Sequence, residues 1–213
     1  MISYEILSGL FLTALVLALV PGPDNLFVLT QSMLHGRWAG LVVTLGFSTG
    51  LIVHTLGVTL GTAALIQASP LAFTLLKLCG ACYLIYLAWR FLQATTIKGQ
   101  QLASEFPRAW RLYRRGIVMN VTNPKVSLFF LAFLPQFADP RIGPVFWQMI
   151  TFGLIFILAT LLVFGGLALL AAQLSPWLMQ RSQVQRWIHR FAALIFVVLA
   201  IRLVWMPMGL SEY

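Results

Sequence analysis

The chain has 213 residues, of which 60% are hydrophobic and only 9% charged; its mean hydropathy is +0.91 and its formal net charge is +9. Soluble domains are nearer half apolar and a quarter charged, so a soluble enzyme or binding module is excluded and an integral membrane protein is expected. The cations stand in loops beside apolar runs, which assigns them to membrane orientation and lipid headgroups, with no nucleic-acid partner.

Six apolar runs are long enough to cross a bilayer, which takes about 20 residues each. They cover roughly 6–34, 39–66, 71–93, 116–137, 145–174 and 187–207, and predict an all-α polytopic membrane protein. The first run is interrupted by Pro21-Gly22-Pro23-Asp24-Asn25 near its midpoint. Proline removes a backbone donor and clashes with the preceding turn. A backbone broken inside a membrane survives only where protein or a water-filled cavity satisfies it.

After the turn His35-Gly36-Arg37-Trp38, the second run carries Gly46/Gly50 and Gly57/Gly61, two small-residue pairs expected to admit a neighbouring helix. His54 lies between them. It either bonds a neighbouring helix or relays protons, because its charge changes near neutral pH. In the third run, Lys77 is expected to snorkel to an interface. Cys79-Gly80-Ala81-Cys82 reads as a pair of buried packing residues or, alternatively, as a membrane thiol–disulfide pair. A polar stretch from Gln93 to Arg115 follows, with part of it expected on the headgroups. The fourth run opens Gly116 to Asn120 and is broken by Asn123-Pro124-Lys125. Pro135, Pro140 and Pro144 punctuate the next connection, and Gly165-Gly166 predicts flexibility in the fifth span.

Arg37, Arg90, Lys98, Arg108, Arg111, Arg114, Arg115, Arg181, Arg186 and Arg190 fall in the loops after spans one, three and five. The opposite side holds Lys77, Arg141 and Arg202 at most. The positive-inside rule therefore predicts both termini outside, in the periplasm of a Gram-negative cell. The whole chain, 1–213, reads as one transmembrane transporter domain. Its halves, about 1–97 and 112–213, are joined by the basic cytoplasmic loop. Three spans per half means that the halves enter the membrane in opposite directions, an inverted repeat with helices one and four broken.

Each break creates a half-helix N-terminus beside a charge, Asp24 in one and Lys125 in the other, an arrangement suited to a zwitterion. The candidate substrate-binding residues are Pro21, Gly22, Pro23, Asp24, Asn25, Asn120, Asn123, Pro124 and Lys125, with Asp24 and His54 as candidates for proton coupling. Asp24 and Lys125 could instead form a buried pair that only locks two helices together. No cofactor and no metal site is expected; the alternative is an exporter of a metal cation or other small solute, and one midplane carboxylate without a Cys/His cluster disfavours a soft-metal site.

The Pro21-Gly22-Pro23 break with Asp24-Asn25, the Gly36/Gly40 pair and Asn123-Pro124-Lys125 resemble the LysE/RhtB family of bacterial amino-acid exporters. The resemblance spans essentially the whole chain. It implies a secondary transporter rather than an enzyme, exporting amino acids or small derivatives across the inner membrane by proton antiport and alternating access. Its implied partners are the amino-acid substrate, protons and the lipid bilayer, with a homo-oligomer left open by the glycine faces.

Overall fold

The computed structural model describes residues 2–20, 22–68, 70–93, 108–180 and 182–205. Its helices are α1 (Tyr4–Leu19), α2 (Pro23–His35), α3 (Arg37–Ala68), α4 (Pro70–Gln93), α5 (Ala109–Val121), α6 (Pro124–Leu128), α7 (Val145–Gln180) and α8 (Ser182–Trp205). A π-helical turn (Phe129–Phe133) and 3₁₀ turns at Leu134–Phe137 and Pro140–Ile142 complete it. Arg37–Gly61, Val145–Ala171 and Arg186–Trp205 are long and apolar enough to cross a membrane unbroken. α4 has 24 residues, about 36 Å at 1.5 Å per residue, which also exceeds the hydrocarbon core. The chain is an all-α, multi-pass membrane protein.

The two remaining spans are broken where the prolines stand. α1 and α2 meet at 63°, and α5 meets Pro124–Phe137 at 47°. Val20 caps α1, its N–H donating to Val16 O at 3.0 Å. Gly22 then caps α2 with Pro23 in the first turn, and Asn123 caps α6 with Pro124 in the same place. First-turn positions need no intrahelical donor, so each proline starts a new helix where it would disrupt an old one. In the second broken span a further proline, Pro135, follows Phe129–Phe133, and the ladder there shifts to π register: Leu134 N–H reaches Phe129 O, five residues back. Proline lacks an N–H and crowds the carbonyl four residues earlier, which gives a physical reason for the shift.

α3 is the spine of the packing. It lies against α7 and α5, α1 and α2 both lie on α7, and α4 packs on α8. Exchanging α1/α2, α3 and α4 for α5/α6, α7 and α8 maps the α3–α7 and α4–α8 contacts onto themselves. It maps α3–α5 onto the contact of α7 with α1 and α2. The packing of α2 on α3 has no counterpart of similar extent between α5 and α7 among the described residues. The outer face carries Leu45, Ile52 and Leu56 on α3 and Leu154, Leu158 and Leu162 on α7, all exposed, as a lipid-facing surface should be.

The structure corrects several expectations. The fourth span begins at Ala109, seven residues before Gly116, because Leu112, Gly116 and Asn120 repeat every fourth residue and are buried, while Arg111, Arg114 and Arg115 stay exposed. Cys79 and Cys82 are free and exposed, so neither packs in the core. Lys77, expected to snorkel, is covered by protein. Of the glycine pairs, Gly46 and Gly50 do face α5. A Cβ on Gly116 would lie 2.6 Å from Val43 O, and one on Gly50 would lie 2.6 Å from Asn120 Oδ1. Gly57 and Gly61 meet nothing within 4 Å among the described residues. Pro21, Lys98 and Arg181 lie outside the described residues.

Candidate functional site

The two breaks bring five polar residues into the interior. Asp24, Asn25, Asn120, Asn123 and Lys125 are all buried, Asp24 being only 2% exposed. Asn25 turns back across the first break, its Nδ2 donating to Ala18 O at 2.9 Å. This satisfies one of the carbonyls that the end of α1 leaves without a partner. Asn123 caps the second break, accepting the Lys125 N–H on Oδ1 at 3.0 Å. Its Nδ2 donates to Asp24 Oδ2 at 2.5 Å, so one amide ties the two broken spans together.

Lys125 points from α6 toward the end of α1. Its Nζ donates to Leu17 O at 3.4 Å and Val20 O at 3.5 Å, which places a cation at the negative end of the α1 dipole. A Cβ on Gly22 would lie 3.5 Å from Lys125 Nζ, ordinary van der Waals contact, so the ammonium lies close against the start of α2. Asp24 and Lys125 do not form a direct ion pair. A side-chain ion pair within 4 Å does form between Arg141 and Asp139, in the loop before α7. The buried lock between Asp24 and Lys125 is therefore absent, and Asn123 makes the cross-span bond instead. Asp24 Oδ1, Asn25 Oδ1 and Asn120 Oδ1 are buried without a hydrogen-bond partner. Buried polar atoms in proteins are nearly always paired, and of these three acceptors Asp24 Oδ1 and Asn120 Oδ1 belong to residues that line one cavity.

A cavity of about 20 Å³ lies between the breaks, lined by Leu17, Ala18, Asp24, Leu51, Asn120, Lys125, Val126, Phe156, Thr160 and Phe164. That volume holds about one water molecule. An amino acid requires the walls to part. His54 is not in the lining. It is half-buried on α3, its Nε2 3.2 Å from Asn120 O, its ring 5.6 Å from that of Phe130. It thus occupies the place of a hydrogen-bonding neighbour to a carbonyl at the end of α5. Among the described residues, no group of three or more His, Cys, Asp or Glu side chains could hold a metal ion.

Sequence reasoning missed the contribution of α7. Phe156, Thr160 and Phe164 recur every fourth residue and so share one helical face. All three line the cavity. The legible signal was a lone hydroxyl in an apolar stripe, inside a run that looked like plain membrane anchor.

A family model for the LysE type translocator matches residues 15–206, nearly the whole chain and both breaks. The chain belongs to the LysE type translocator family. Membership makes it a translocator, not an enzyme. The chain is 35% identical over 190 residues to the homoserine/homoserine lactone efflux protein of Salmonella typhimurium, an alignment covering 88% of this chain and 90% of that protein. It is 34% identical to the protein of the same name from Salmonella typhi, with the same coverage. An uncharacterized membrane protein of Vibrio cholerae is 33% identical over 171 residues, 78% of this chain and 81% of that one. No solved structure matches the chain.

Proposed function

We propose that this translocator exports small amino acids or their derivatives, homoserine among them, across the bacterial inner membrane. The observation that carries the reading is the meeting of Asp24, Asn120 and Lys125 around one cavity at two broken helices. Intramembrane ionisable groups that face the interior mark transport pathways, and breaks of this kind recur at transporter binding sites. The efflux relatives support the substrate class.

The chemistry follows from the charges. The substrate carboxylate exchanges with the Leu17 and Val20 carbonyls for the Lys125 ammonium, while the substrate ammonium takes the open acceptors Asp24 Oδ1 and Asn120 Oδ1. Asp24 also carries the coupling proton. Movement of the proton and the substrate through one carboxylate makes the two compete, which is antiport. The halves of the chain, exchanging α3–α7 and α4–α8 packing in place, rock to open the cavity alternately to each side, with both termini periplasmic. Asp24→Asn keeps the size and removes the charge and the proton. Homoserine export from preloaded cells should collapse and its dependence on external pH should vanish. Unchanged export with an unchanged pH profile would show that Asp24 has no such role.

A further inference from the structure

The described residues hold five buried threonines, Thr13, Thr44, Thr55, Thr59 and Thr160. Four of them donate their hydroxyl to the carbonyl four residues earlier: Thr13 to Gly9 at 2.7 Å, Thr44 to Gly40 at 2.9 Å, Thr55 to Leu51 at 2.7 Å and Thr59 to Thr55 at 2.6 Å. This is the usual resolution for a hydroxyl inside a helix that has no water to reach. Thr160 is the exception. It is 2% exposed, has no such bond to the carbonyl of Phe156, and lines the cavity between the breaks. A hydroxyl kept from the backbone in a membrane interior is unfavourable unless something else satisfies it. Valine would fill the same volume in the stripe with Phe156 and Phe164 at no such cost.

Thr160 also sits at the right depth. It lies near the middle of the Val145–Ala171 span, as the breaks lie near the middle of theirs. The wall around it is apolar, formed by Phe156, Phe164 and Leu51. Apart from Asp24, Asn120 and Lys125, the lining is apolar with one hydroxyl, that of Thr160, which suits a short carbon side chain that ends in a hydroxyl or an ester oxygen.

We propose that the Thr160 hydroxyl bonds the side-chain oxygen of the exported amino acid, and so selects hydroxylated side chains over apolar ones of equal size. The inference rests on the amino-acid export reading and adds to it the residue that discriminates. Asp24, Asn120 and Lys125 hold the groups common to all amino acids, and Thr160 reads the group that differs.

The test compares homoserine with norvaline, which carries a methyl where homoserine carries its hydroxyl. Cells lacking their own exporters are loaded with both, and the ratio of the two export rates is measured at equal amounts of protein in the membrane. Thr160→Val should lower the homoserine-to-norvaline ratio by about 2- to 10-fold, the size of one neutral hydrogen bond. Thr160→Ser should restore it. Thr160→Ala, which adds no bulk, should shift the ratio in the same direction if the valine variant fails to reach the membrane. An unchanged ratio in Thr160→Val, or an equal fall for both substrates, overturns the selective role while leaving export itself standing. Export of neither amino acid by the unaltered protein overturns both.

Discussion

Replacing Asn123 tests the joint between the two broken spans. Asn123→Ala deletes two interactions at once. The first is the cap on the Lys125 N–H, with a bond of 3.0 Å; losing an N-cap side chain costs about 0.5–2 kcal/mol. The second is the 2.5 Å bond to Asp24 Oδ2; a hydrogen bond to a charged group is worth about 1.5–3 kcal/mol. Asp24 then keeps no hydrogen-bond partner among the described residues, since its Oδ1 already has none. The expected loss is about 2–5 kcal/mol of unfolding free energy, and the two terms share a residue, so they need not add strictly. Asn123→Ser separates them. Serine is a good cap but is too short to span to Asp24, so it should recover about 1 kcal/mol relative to alanine and no more. The measurement is equilibrium unfolding of the detergent-solubilised protein, with export followed in parallel. A loss below about 0.5 kcal/mol for Asn123→Ala, the range of an ordinary surface change, would refute the claim that this amide ties the spans.

The glycines should divide by what surrounds them. Gly116→Val forces a Cβ against Val43 O, backbone that cannot turn aside, and should cost at least about 1–3 kcal/mol by overpacking; Gly57→Ala, with nothing within 4 Å among the described residues, should be neutral or gain up to about 1 kcal/mol of helix propensity, both read by the same unfolding assay. The loop before α7 is held by Gln148, which accepts from Asp139 N–H at 3.0 Å and donates to Asp139 O and Gly143 O at 2.9 Å each. Gln148→Leu leaves those groups unpaired and should cost about 1–3 kcal/mol, detected as a lowered unfolding midpoint. Arg141→Ala removes the ion pair with Asp139, in which the Arg141 side chain is 64% exposed, and should change stability little at neutral pH. The hydrogen bonds from Arg141 hold the Asp139 carboxyl below its ordinary value of 3.8. That pair therefore contributes above the ordinary value and is lost as pH falls through the lowered one. NMR titration should show the Asp139 carboxyl returning toward 3.8 in Arg141→Ala.

Much of the site was legible because a proline in an apolar run has few structural outcomes. Pro23 and Pro124 had to start helices, so Asp24 and Lys125 had to stand near helix N-termini, and they do. The start of α5 was missed because Arg111, Arg114 and Arg115 interrupt the hydrophobicity, although Leu112 and Gly116 already mark its buried face. The burial of Lys77 and the exposure of Cys79 and Cys82 were not legible either. In a membrane helix both faces are apolar, so periodicity gives little sign of which side meets protein and which meets lipid.

The sequence by itself determined the solvent, the helical class and the depth of the two breaks. These follow from local rules: the length of apolar runs, the missing proline donor, and the cost of bare charge in hydrocarbon. Only the tertiary structure decided who partners whom. It gave Asp24 the amide of Asn123 in place of Lys125, gave Lys125 the carbonyls at the end of α1, and brought Thr160 from α7 to the same cavity. Those choices depend on how closely α3, α5 and α7 approach, which glycine contacts such as Gly46 against Gly116 set in three dimensions. Spacing along the chain carries no record of them.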